Sequence, residues 1–109
     1  MYSDRLVEIR QIISSKRKEI NELEVEKKEL WEKIVREIND NTARYKKIEG
    51  LSGFKFAKLG YTDNNEQYVI INFDTNSRPT ASALANIESD THLKFKGNFT
   101  SSDNYGFGL

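Results

Sequence analysis

The chain has 109 residues, seventeen of them basic and seventeen acidic, with one histidine, His92, and no cysteine. Cancelling charge removes the electrostatic footprint of a protein whose main ligand is the phosphate backbone, so no direct nucleic acid partner is expected. There is no disulfide to reinforce a small core, one histidine gives a metal staple no support, and no stretch approaches the roughly twenty apolar residues that span a bilayer, so no metal and no membrane partner are expected.

Between Ser3 and Glu49 there is no Gly and no Pro, and Glu, Lys, Arg, Ile and Leu dominate. Propensity and hydrophobic period agree on one helix, a rod of roughly 70 Å at 1.5 Å per residue. Ser3 is placed to cap its start. Gly50 is placed to end it in a left-handed conformation with Leu51 folding back, and the polar run Asn39-Asp40-Asn41-Thr42 is the earlier weak point. Residues 1–50 therefore read as a coiled-coil stem and 51–109 as a small head.

The apolar residues of the stem fall alternately three and four apart, a seam that only another helix covers. With Leu6 at heptad position a, the a residues are Leu6, Ile13, Ile20 and Lys27, and the d residues are Ile9, Lys16, Leu23 and Leu30. Beyond that the better seam is Trp31, Ile34, Ile38, Asn41, Tyr45 and Ile48, a four-residue stutter that locally unwinds a supercoil. Trp31 either marks a change of packing where another helix joins or fills a wider stretch of a dimer seam.

The flanking charges bear on the partner. In a parallel self-pair the g-to-e contacts would oppose Arg5 to Arg10, Ile12 to Arg17 and Glu19 to Glu24, with Lys16 and Lys27 stacked inside the seam. None attracts and two repel, each by well under ~1 kcal/mol, so the consistent sign carries the argument. A parallel heterodimer is favoured over a homo-oligomer, with an antiparallel hairpin or bundle third. Pairs such as Glu24 with Lys28 and Glu29 with Lys33 serve only to keep a helix soluble.

After Gly50 the period becomes alternating. Phe54, Phe56, Lys58 and Gly60 fall on one side of a strand, and Lys55, Ala57, Leu59 and Tyr61 on the other. Asp63-Asn64-Asn65-Glu66 is a polar turn, and Gln67 to Asp74 (QYVIINFD) is a second strand pairing antiparallel with the first. Its run Tyr68, Val69, Ile70, Ile71 calls for cover on both faces. Thr75 to Thr80 is a loop. Ala81 to Glu88 reads either as an edge strand, from the alternation of Ala81, Ala83, Ala85 and Ile87, or as a short helix, with strand preferred. Leu93 to Phe99 (LKFKGNF) is the last strand, with its two lysines outward. Ser101 to Leu109 interleaves turn residues with aromatics and reads as an irregular, frayed tail.

The chemistry-bearing patterns are absent. No nucleophile elbow precedes a helix, no glycine loop opens one, and the head's acidic residues have no calcium-loop spacing. No enzymatic activity, cofactor or small-molecule substrate is expected. The aromatics Phe54, Phe56, Tyr68, Phe73, Phe95 and Phe99 read as core rather than as a stacking platform, because the head lacks a basic groove. Asn98-Phe99-Thr100 fits a glycosylation sequon, a triplet that arises readily by chance.

The order of features, a helix closing at Ile48-Glu49-Gly50, a strand ending in Leu59-Gly60, a polar turn, and a second strand closing as Asn72-Phe73-Asp74, resembles the small coiled-coil subunits of the outer kinetochore with RWD-type heads. That resemblance implies a scaffold subunit in chromosome segregation, intracellular and nuclear. Its head would pair with another and dock adaptor peptides. The chain departs from the family in ending on Tyr105-Gly106-Phe107-Gly108-Leu109 where a helix belongs, so no adaptor-binding residue carries over. The expected fold class is α+β, a long N-terminal coiled-coil helix and a small antiparallel β-rich head. The partner-binding seam is Leu6, Ile9, Ile13, Ile20, Leu23, Leu30, Trp31, Ile34, Ile38, Tyr45 and Ile48. A homotrimeric viral or surface fibre with a helical stalk and β-rich tip is the alternative.

Overall fold

A computed structural model describes the backbone of residues 2–109 and the side chains of residues 4–109. Helix α1 (Tyr2–Asp40) is followed by a short α2 (Thr42–Lys46), strands β1 (Phe54–Tyr61) and β2 (Gln67–Phe73), helix α3 (Ala81–Thr91), and strands β3 (Lys94–Asn98) and β4 (Asn104–Gly108). A long N-terminal helix followed by a four-stranded antiparallel sheet makes the fold α+β, as expected. The Ser3 hydroxyl expected to cap the helix lies outside the described residues.

The chain divides into two compact units at Leu30/Trp31 and not at Gly50/Leu51. This corrects the expected boundary. Unit one is helix alone, and every side chain described in it is exposed. Unit two begins within α1, because Trp31, Ile38 and Tyr45 are buried in the same apolar cluster as Phe54, Ile71 and Phe107. Below about 70–80 residues a single core stabilises weakly, and recruiting two further helical turns enlarges it.

The expected continuous helix to Glu49 is interrupted at Asn41, within the polar run. The Asn41 side chain donates to the Glu37 carbonyl at 2.8 Å, and the Thr42 hydroxyl donates to the Asn39 carbonyl at 2.6 Å. The Thr42 hydroxyl takes the carbonyl that the Ala43 N–H would use in the next helical turn, while the Glu37 carbonyl also keeps the Asn41 N–H at 3.2 Å. Gly50 adopts the left-handed conformation expected of it, with φ +87°. A Cβ there would come within 2.7 Å of the Ala83 side chain, so both conformation and space require glycine. Leu51 follows, fully buried, its N–H donating to the Ile48 carbonyl at 3.0 Å.

The sheet order is β1-β2-β4-β3. The β1–β2 hairpin keeps the expected strands, with Leu59 opposite Val69 and Tyr61 opposite Gln67. A bulge between Phe54 and Phe56 overturns their expected common side: Phe54 enters the core while Phe56 turns out. The extra residue of a bulge reverses the alternation beyond it, and the pattern of apolar residues alone does not locate it.

Two further expectations are corrected. Ala81 to Glu88 is helix, not edge strand. Thr80 caps it by accepting from the Ala83 N–H at 3.2 Å, and the buried residues Ala83, Leu84 and Ile87 follow a helical period while Ala81 and Ala85 are exposed. The tail is not frayed: Asn104–Gly108 forms β4, wholly buried between β2 and β3. Tyr105 and Phe107 face the core, and Gly106 and Gly108 face the other way. The glycines read as turn residues because the sequence does not show what covers them.

Candidate functional site

Helix periodicity puts Leu6, Ile9, Ile13, Ile20, Leu23 and Leu30 in one row, and all are exposed, from 38% at Ile9 to 65% at Leu6. Each is worth about 1.5–3 kcal/mol when fully buried, so the row is a large unused reservoir of association energy. Around it one ion pair forms among the described residues, Arg5 with Glu8 at 3.0 Å, both exposed and of little energetic weight.

The second half of the expected seam is elsewhere. Trp31, Ile38 and Tyr45 are 5%, 3% and 2% exposed, and Ile34 and Ile48 pack against the same cluster. These five belong to the core of unit two and are removed from the candidate partner seam. The stutter at Trp31 marks a real change of packing, but the cover comes from this chain's own sheet and helices.

At each edge of its sheet the head places one helix-borne side chain on the edge strand. At the β1 edge the Asn39 amide accepts from the Ala57 N–H at 2.7 Å and donates to the Ala57 carbonyl at 2.9 Å, completing both bonds that a neighbouring strand would make. At the β3 edge the Glu88 carboxylate accepts from the Phe95 N–H at 3.2 Å. Sheets protect exposed edges in this way against pairing with other chains. Neither residue carries a sequence signal for the role.

Between α2 and α3, Arg44 donates to the Asp90 carboxylate at 2.7 Å and lies over the Tyr45 ring at 4.8 Å. The hydrogen bond to Asp90 raises the Arg44 pKa further, and burial, followed by the Asp90 charge, raises that of the Tyr45 phenol. The arrangement ties two helices together and keeps a phenol neutral. Among the described residues no His, Asp and Glu side chains group as metal ligands, and no described helix is long and apolar enough to cross a membrane.

The sheet face opposite the core is the other distinctive surface. Pairing places Phe56, Asn72 and Asn104 in one row and Lys58, Ile70 and Gly106 in the next. Tyr68 lies over Gly60, where a Cβ would come within 2.7 Å of its ring, and Phe99 folds back from the β3–β4 loop onto Gly106. The two rings contact each other at 4.8 Å between centroids. The loop itself is held by Asn104, which donates to Thr100 Oγ1 and accepts from Asn72, each at 2.7 Å. The sequence reading placed Phe99 and Tyr68 in a common core, whereas they form a separate small cluster on the outward side. Compared with protein-family models, with curated proteins and with solved structures, the chain matches none.

Proposed function

We propose that this chain is a non-enzymatic interaction subunit. It joins a different polypeptide through the apolar row of residues 6–30 and presents its head as a protein-docking surface. The observation that carries this reading is the exposed row itself: six large aliphatic side chains at heptad spacing on a helix that has no Gly or Pro. The like-charge contacts of a self-pair favour a heterotypic partner. Side chains that occupy Ala57 and Phe95 on the two edge strands favour assembly through the helix over strand addition. The kinetochore-type, chromosome-segregation setting rests on the resemblance in element order, and a nuclear, intracellular location goes with it.

The test uses the purified chain and two synthetic helices. One repeats residues 4–30, and the other exchanges the signs of the flanking charges and places glutamate opposite Lys16 and Lys27. Sedimentation is expected to show binding of the exchanged helix and not of the self helix, and Ile20→Asp with Leu23→Asp should abolish that binding. A stable trimer of the chain alone would favour the fibre reading. A compact monomer that ignores both helices would overturn the proposal.

A further inference from the structure

The four strands of the head carry four lysines, Lys55, Lys58, Lys94 and Lys96, and not one carboxylate. Every acidic residue from Leu51 onward lies in a turn, a loop or α3. The outward face of the sheet is thereby a cationic surface without internal neutralisation. It also holds an apolar feature: Phe56 is 45% exposed, turned out by the bulge that sends Phe54 into the core. Bulges of this kind re-aim a side chain, and here the re-aimed one is a phenylalanine among lysines.

We propose that this outward face docks an acidic peptide segment of a partner protein. Apolar side chains of that segment pack on Phe56 and on the tilted Tyr68–Phe99 pair, and its carboxylates meet Lys58 and Lys96. The proposal deepens the docking role assigned to the head and rests on it. Three observations select this occupant. A second copy of the chain is disfavoured, because face-to-face symmetry would bring lysines against lysines. A nucleic acid strand is disfavoured, because residues 31–109 hold ten basic against ten acidic side chains, so the head exerts no long-range attraction on a polyanion. A short acidic segment needs only the local lysines. Addition of the peptide as a fifth strand is blocked at Ala57 and Phe95 by Asn39 and Glu88, so it lies across the strands and binds through side chains.

A random-peptide display library selected against the full chain tests this, with the Lys58→Glu/Lys96→Glu double variant as counter-selection. Enrichment of peptides that combine several carboxylates with a large apolar residue is expected. Fluorescence polarisation of an enriched peptide should show affinity lowered about tenfold or more by the double variant and by Phe56→Ser. All three substituted side chains are exposed, and unchanged melting of the variants checks their folding. Sedimentation of the same variants should show unchanged association with the charge-exchanged helix, so loss of the face is separable from loss of the stem reading. No enrichment, enriched peptides indifferent to these substitutions, or tighter binding of a ten-nucleotide thymidine strand would overturn the proposal.

Discussion

Asn39 completes the hydrogen bonding of one edge-strand residue, Ala57, eighteen residues further along the chain. Its amide offers a donor and an acceptor in the geometry of a peptide group, and Ala57 is the edge residue whose N–H and carbonyl it satisfies. Asn39→Ala leaves both in a part-buried place and should cost about 2 kcal/mol of head stability, read from urea unfolding. Asn39→Asp keeps the acceptor and loses the donor, so it should recover only part. An unchanged midpoint for both would show that water replaces the amide at no cost. Tyr45 makes a second prediction at this scale. Burial raises its phenol above the ordinary 10.0, so the stabilisation from holding it neutral is fully present below pH 10 and is lost as pH rises through the folded value. Tyr45→Phe should flatten that alkaline loss in thermal melts at graded pH. Neither role is legible in the sequence: Asn39 announces a helix end, and Tyr45 fits a heptad, but their partners come from distant segments.

The elements were legible where two local signals agreed. The β1–β2 hairpin has an alternating first arm, a β-branched and aromatic second arm and a polar turn between them, and it forms within one residue of the expected ends. α3 was obscured because alanines at alternate positions imitate a strand, although Pro79-Thr80 supplies a helix start and Ala, Leu and Ile supply a helical burial pattern. β4 was obscured because Gly106 and Gly108 look like turn residues. At Gly106 the actual reason is space, since Phe99 occupies the side of the sheet that a Cβ there would fill. A chain ending at Asp103 decides what β4 contributes. A frayed tail could be removed without effect, but Asn104–Gly108 separates β2 from β3 and buries Tyr105 and Phe107. The truncated chain should therefore lose the cooperative melt of the head, and a retained transition would contradict the central placement of β4.

At the scale of the whole molecule one helix serves two purposes that the heptad pattern presents as one. Up to Leu30 its apolar side chains are exposed, and from Trp31 onward they are core. Period alone does not separate the cases, because a seam against a partner and a stripe against one's own sheet demand the same three-and-four spacing. The stutter at Trp31 was the available sign, since it breaks register where the neighbours change. Substitutions on either side should then act on different observables. Ile20→Asp with Leu23→Asp should remove association of the stem and leave the melting of the head unaltered, because both side chains are exposed in the chain alone. Trp31→Ala should cost about 3–5 kcal/mol, a large part of the stability of so small a domain, and unfold the head whether or not a partner helix is bound. If instead Trp31→Ala left the melt intact and weakened association, Trp31 would be a seam residue, and the division at Leu30/Trp31 would be wrong. The pair of measurements, sedimentation and melting on the same two variants, thus reads where the interaction surface of this helix stops and its own core begins.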